Sequence, residues 1–220
     1  MTVESILTNV SSNRVSKAPR QILNDLFAFS PNRETLGGTA YFIKQNSGNI
    51  LVDCPIWDQT TQDFITDQGG IRYLFFTHRG GIGQKVKEMQ QIFKFEAVIQ
   101  EQEAYLLPEI EVKTFRDKII LTEICQGIWT AGFSPGSACL YCDLEGGILF
   151  SGRHLLPDPT GEIKPIRTDK TFHWQRQLRN VEKINNLFNC TNLKYICPGG
   201  NTGFLKGKIP VHLLTHISQS

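Results

Sequence analysis

Tyr73-Leu74-Phe75-Phe76-Thr77-His78-Arg79-Gly80-Gly81 opens with four apolar residues and turns polar within two more. A run of that length bounded by turn signals is too short for a buried helix and predicts a central strand. Residues 77–81 then read as a loop. A helix is expected over 82–93, where Val86, Met89, Gln90 and Phe93 carry the helical spacing. Residues 96–99 are the next strand. Strand, loop, helix and strand in that order lay two parallel strands under one helix, so the chain reads as α/β.

Upstream, residues 40–44 and 50–53 are strands joined by a turn at Asn46-Ser47-Gly48-Asn49. Residues 58–68 read as a short helix with Asp58 as a first-turn acid and Gly69-Gly70 as its stop. Residues 1–36 are polar and read as an edge strand or an irregular approach. Downstream comes a meander of short strand candidates at 111–115, 118–121, 128–130, 138–143 and 147–151. The longest helix covers 174–188, a last strand covers 193–197, and the tail from Ile209 reads as helical. No linker separates the halves, so residues 1–220 are expected to form a single domain of two packed sheets with outer helices. A Rossmann fold is the rival, but Asp53-Cys54-Pro55-Ile56-Trp57 is not the glycine-rich turn it needs. Neither a P-loop nor a G-x-S-x-G elbow occurs.

The chain's 220 residues are enough to bury roughly 70% of the surface exposed on unfolding, without a staple. With 23 basic against 21 acidic residues and a net charge of +2, there is no electrostatic case for nucleic acid. No apolar run is long enough to span a membrane. The opening MTVESILTNVSSNR carries Glu4 early and lacks an apolar core, so no secretory leader is expected. The six cysteines are scattered through mostly apolar runs, which favours structural thiols, a reducing compartment and a cytoplasmic location. Cys139 and Cys142 have CxxC spacing, but on a strand they point to opposite faces and cannot share a ligand site. With 14 Phe, of which Phe93, Phe95 and Phe115 read as contact or core, a homodimer is also expected.

The ordered strand-end motifs resemble the metallo-β-lactamase fold superfamily. They are Ile50-Leu51-Val52-Asp53, Leu74-Phe75-Phe76-Thr77-His78, Gly132-Phe133-Ser134-Pro135-Gly136-Ser137, Ile148-Leu149-Phe150-Ser151-Gly152-Arg153 and Tyr195-Ile196-Cys197-Pro198-Gly199-Gly200. Each is weak alone, and their order and spacing over residues 40–200 carry the likeness. The resemblance implies a four-layer αββα sandwich with the site at strand ends between the sheets. Most members of such families are metal-dependent hydrolases or oxidoreductases.

The resemblance also implies a ligand set, T-H-x-H-x-D-H, whose metals would activate a shared water. Here His78 matches the first ligand, Gly80 stands where the second His belongs, and no Asp-His pair follows; with a longer loop, Gln84-Lys85 takes that place. Phe133 replaces the His of G-H-T-P-G-S, Arg153 replaces the bridging Asp of L-F-x-G-D, and Gly200 or Asn201 replaces the last His. No metal, cofactor or catalytic residue is therefore expected. Two roles stay open for the altered site: Arg153 and Asp53 form a structural plug, or Arg153, Lys85 and His78 line an anion cleft with Arg79, His154 and Asn201 nearby. Gly80-Gly81 and Gly199-Gly200 read as backbone nests or as tight turns. His173 reads as a solvated helix start, His212 and His216 as tail histidines, and Glu101, Glu103 and Asp117 as surface charges. A non-hydrolytic protein that binds a small anion or a protein partner is the expectation, with a metal-dependent hydrolase of atypical ligand set as the alternative.

Overall fold

The computed structural model describes residues 16–188 and 193–207. A seven-stranded sheet runs in chain order through β1 (Arg20–Leu23), β2 (Leu26–Ala28), β3 (Tyr41–Ile43), β4 (Ile50–Val52), β5 (Tyr73–Phe75), β6 (Glu96–Gln100) and β7 (Val112–Phe115). Neighbours from β1 to β4 are antiparallel and those from β4 to β7 are parallel. The second sheet holds β8 (Lys118–Ile120), β9 (Cys125–Trp129), β10 (Ala138–Cys142) and β11 (Ile148–Gly152) as an antiparallel meander. A small hairpin of β12 (Leu156–Pro157) and β13 (Ile163–Lys164) follows, and β14 (Tyr195–Pro198) returns parallel to β11. Helices α1 (Gln59–Asp67) and α2 (Val86–Phe93) belong to the first half, and α3 (Trp174–Phe188) to the second.

Three apolar layers hold these elements in a four-layer αββα sandwich, and strand alternation creates them. Tyr41, Ile43, Ile50, Val52, Tyr73, Phe75 and Val98 point inward to meet Leu140, Cys142, Ile148, Phe150, Tyr195 and Cys197 of the other sheet. The residues between them, Phe42, Leu51, Leu74, Ala97 and Ile99, pack outward against Ile65 of α1 and Val86 and Met89 of α2. On the far side Cys139, Leu149 and Ile196 meet Val181 and Ile184 of α3. Strands buried on both faces must be apolar at every position, which is why the central ones read as unbroken runs.

Several boundaries differ from the sequence expectation. Residues 112–115 are not part of the meander: β7 pairs in parallel with β6, and the chain crosses to the second sheet only at residues 116–117. Helix α2 begins at Val86 and not at Ile82, because residues 79–81 form a 3-10 turn and Cys54 N–H donates to the Gly81 carbonyl at 2.9 Å. Asp58 is the N-cap of α1, its carboxylate accepting from Thr61 N–H at 3.0 Å. The segment before residue 36 contains the β1–β2 hairpin, an antiparallel edge. Phe95 and Phe115 are core residues, and the half-buried Phe93 packs edge-on against Trp57. The tail from residue 208, with His212 and His216, lies outside the described residues.

The cysteine expectation is corrected for two residues. Cys125 and Cys142 are register partners on β9 and β10, with Cα atoms 4.1 Å apart, and they form a disulfide. Scattered positions in the sequence hid a pair that strand register brings together. Cys54, Cys139 and Cys197 are buried free thiols. Cys139 and Cys142 do face opposite layers.

Candidate functional site

Four parallel strands end at one edge of the sandwich and bring the motif residues together. Asp53 follows β4, Thr77 and His78 follow β5, Arg153 follows β11, and Gly199 and Gly200 follow β14. Backbone bonds stitch this edge across the sheets: Ala138 N–H donates to the Thr77 carbonyl at 2.7 Å, and Thr39 N–H to that of Gly199 at 3.3 Å. Gly152, at φ +54, lies so close to Thr77 that a Cβ would sit 2.4 Å from its Oγ1.

Asp53 is buried in the left-handed region (φ 58) and serves Thr77. Its carboxylate accepts from Thr77 N–H at 2.8 Å and from Thr77 Oγ1–H at 2.6 Å. A Cβ on Gly81 would stand 2.2 Å from Asp53 Oδ1, so the loop closes directly over the carboxylate. Gly81 is thus a packing glycine, with its own N–H given to the His78 carbonyl. Burial pushes the Asp53 carboxyl up to about 6, against the opposing pull of the Thr77 hydrogen bonds and then of Arg153.

The Thr77 hydroxyl also lies 3.0 Å from His78 Nδ1. With its proton on the Asp53 bond, its oxygen accepts from Nδ1–H, which assigns the His78 tautomer and leaves Nε2 as a bare lone pair. That Nε2 is buried and makes no hydrogen bond. Burial, and secondarily Arg153, pull the His78 pKa down to about 3, so at neutral pH it is an acceptor and a poor base.

Three side chains, Phe133, Arg153 and Leu36, stand around His78. The Phe133 ring meets His78 edge-on with centroids 5.1 Å apart. The Arg153 guanidinium lies 5.7 Å from the same ring. Leu36, from the β2–β3 connection, reaches in from the other side: its Cδ1 is 2.7 Å from where Gly80 would carry a Cβ, and that same point is 3.3 Å from His78 Nε2. The Leu36 carbonyl accepts from Arg153 Nη2. Arg153 Nε is buried without an acceptor. The Arg153–Asp53 plug does not form as an ion pair: Asp53 is hydrogen-bonded to Thr77, and Arg153 binds Leu36 and covers Phe133.

The remaining candidates scatter. Arg79 Nε pairs with Glu103 at 2.9 Å, and Glu103 is fully buried against Gly136, contrary to its expected surface place. Glu101 and Asp117 are exposed as expected. Lys85 turns outward and pairs with Glu88 at 3.2 Å, away from His78. His154 is buried next to Arg153 but on the α3 side, where Gln177 Nε2 donates to its carbonyl at 2.9 Å. Neither His154 ring nitrogen makes a well-formed hydrogen bond, and burial holds its pKa down at about 4 against a weaker upward pull from the Asn180 backbone. Asn201 is exposed in the left-handed region, 3.4 Å from the Pro157 carbonyl. His173 caps α3, accepting from Arg176 N–H at 3.2 Å.

These residues do not fit a catalytic metal. His78 supplies one free donor, Asp53 is committed to Thr77, and Arg153 brings a cation to the same edge. Among the described residues no group of three or more His, Cys, Asp or Glu is placed to hold an ion. Two sheets of this order with helices outside them have the metallo-β-lactamase fold, and no cluster of metal ligands stands among the described residues. Solved structures agree on the fold. DIM-1 metallo-β-lactamase superposes with a TM-score of 0.66 at 14% identity, covering 87% of this chain and 95% of that one. MIM-1 from Novosphingobium pentaromativorans gives 0.61 at 13% identity, covering 89% and 82%. An archaeal metallo-β-lactamase superfamily protein from Sulfolobus tokodaii gives 0.58 at 15% identity, covering 79% and 78%. No family model and no curated protein matches the chain.

Sequence reasoning did not find Leu36, Thr77 or Glu103. Thr77 had a signal, since it precedes the retained His78. Leu36 had none, because a leucine in a polar loop says nothing of what it covers.

Proposed function

We propose that this chain is a metal-free, non-hydrolytic binding protein that takes a small anion at the strand-end edge through Arg153. One observation carries this: Arg153, at the position where the resemblance implies a bridging carboxylate, holds a buried Nε without an acceptor. A guanidinium keeps its charge and offers a planar fork that suits carboxylate or phosphate. Because neutral His78 offers only a lone pair, an anion that reaches it favours its protonated form, so binding strengthens as pH falls.

Thermal shift in phosphate, citrate and acetate series, repeated on Arg153→Ala, tests the proposal. At ten times Kd, binding adds about 1.4 kcal/mol, or roughly 3–6 °C in Tm for a chain of this size. No shift in the parent protein sinks the anion site, and an equal shift in Arg153→Ala places binding elsewhere. Stoichiometric zinc or iron after purification without chelator would restore the hydrolase alternative.

A protein partner at the same edge is the second reading. It is favoured by exposed Leu36, Tyr105 and Phe172, at 39%, 66% and 57% accessibility, on segments bonded to the site. A second copy of the chain is one such partner, tested by light scattering on the parent and on Phe172→Ser. Residues 1–220 are proposed to form a single domain. Among the described residues no helix is long and apolar enough to cross a membrane. The cytoplasm stays the proposed compartment only if Cys125 and Cys142 are recovered from cells as thiols, since their pairing removes the support that free cysteines gave.

A further inference from the structure

A cavity of about 280 Å³ opens at the sandwich edge where β1 and β3 face the turn after β14. Its apolar lining is made by Ile22 and Phe29, both buried, and by the half-buried Leu205. Hydroxyls line it as well. Thr39 and Thr202 bond to each other at 2.9 Å, and Tyr41 donates to the Pro198 carbonyl at 2.7 Å, which leaves the phenol oxygen able to accept. Ser30 adds a fourth. Two cations, Lys17 and Arg20, border the mouth. Arg20 gives one N–H to the Gly207 carbonyl at 2.8 Å and keeps the rest of its fork. Among the described residues, none that lines the cavity is acidic.

We propose that this cavity binds a small organic acid, a carboxylate carried on a compact apolar body such as a single aromatic ring. An apolar lining with cations only at the rim sorts a ligand by its two ends: the ring goes in and the charge stays at the mouth. Ser30 and whichever of Thr39 and Thr202 accepts in their shared bond have a proton to donate to the carboxylate, whereas Tyr41 has spent its own on Pro198. The volume sets the size, being nearly twice the roughly 150 Å³ that holds benzene and below the roughly 300–1,000 Å³ of drug-sized sites. An amine on the same ring meets Lys17 and Arg20 with like charge and is rejected. Arg153 takes no part, since it is not among the residues that line the cavity.

The probe is 4-fluorophenylacetate, titrated against the full chain by fluorine NMR, with 4-fluorophenethylamine as the same ring of opposite charge. Saturable binding of the acid with Kd on the order of 1 mM or tighter is expected. The amine should bind at least tenfold more weakly. Lys17→Ala and Arg20→Ala, both exposed and outside the core, should each weaken the acid about fivefold, and Leu205→Trp should abolish binding by filling the cavity. Arg153→Ala should leave it unchanged. No saturable change, equal binding of the amine, or indifference to Lys17→Ala and Arg20→Ala overturns the proposal. Loss in Arg153→Ala alone also overturns it and assigns the acid to the strand-end site instead.

Discussion

Replacing His154 with Leu should remove most of the net acid sensitivity that His78, His154 and Asp53 impose together. His154 and His78 are held down from 6.5 to about 4 and about 3, both chiefly by burial. A histidine whose folded pKa is depressed contributes stability in full above its unfolded pKa, and loses it as pH falls through 6.5 toward the folded value. Asp53 acts in the opposite sense. Its pKa rises from 3.8 to about 6, so its burial costs least at low pH, and stability is lost as pH rises through 6. Near pH 5 the unfolded chain holds about two protons on these three groups and the folded chain about one, so stability falls by about 1.4 kcal/mol per pH unit. Without His154 the two counts nearly match, and the slope from this set drops to about 0.2 kcal/mol per unit. Urea unfolding followed by fluorescence of Trp57, Trp129 and Trp174 at pH 6.0, 5.25 and 4.5 reads the difference. His154→Leu should lose roughly 2 kcal/mol less than the parent over that range. Slopes that agree within about 0.3 kcal/mol per unit would refute the reasoning, because His154 would then be charging freely inside the fold.

Three further outcomes are expected. Gly81→Ala drives a Cβ into Asp53 Oδ1, 2.2 Å away, and should cost about 3 kcal/mol in urea unfolding, whereas Gly203→Ala, which meets nothing within 4 Å, should cost no more than a few tenths. Arg79→Ala strands the buried Glu103 carboxylate and should cost about 2 kcal/mol, less than a fully buried pair because Arg79 is 43% exposed; Glu103→Gln in the same chain should restore most of it, and a loss below about 0.5 kcal/mol in the single variant would show that solvent already screens the pair. Changing Cys125 and Cys142 to Ser opens a 17-residue separation and should cost about 3 kcal/mol, with alkylation of the denatured parent showing two more thiols after reduction than before.

The fold was legible because it rests on short-range patterns. Tyr73-Leu74-Phe75-Phe76 is apolar at every position because β5 is buried on both faces, and the 174–188 helix announced itself by the spacing of Leu178, Val181 and Ile184. The β1–β2 hairpin was less visible, since its strands of four and three residues lie at an edge with mixed burial. Residues 112–115 were legible as a strand but not as a member of the first sheet, because pairing partners are a matter of register that no local pattern records.

The lack of metal donors at the positions the resemblance marks was also written in the chain, residue by residue: Gly80, Phe133 and Arg153 offer no side-chain group that coordinates a catalytic ion, and their chemistry holds whatever the fold. Where the replacements point was decided only in three dimensions. Asp53 and Arg153 are opposite charges at neighbouring strand ends, yet the aspartate is bonded to Thr77 and the arginine to the Leu36 carbonyl. Lys85 and Arg79 read alike as loop cations near a cleft; one pairs outward with Glu88 and the other inward with a fully buried Glu103. Cys125 and Cys142 looked like scattered thiols until antiparallel register set them opposite each other. Side-chain chemistry is a property of single residues and survives in the sequence. Distances between strand ends depend on how two sheets pack, and that packing alone closed Leu36 and Phe133 around His78.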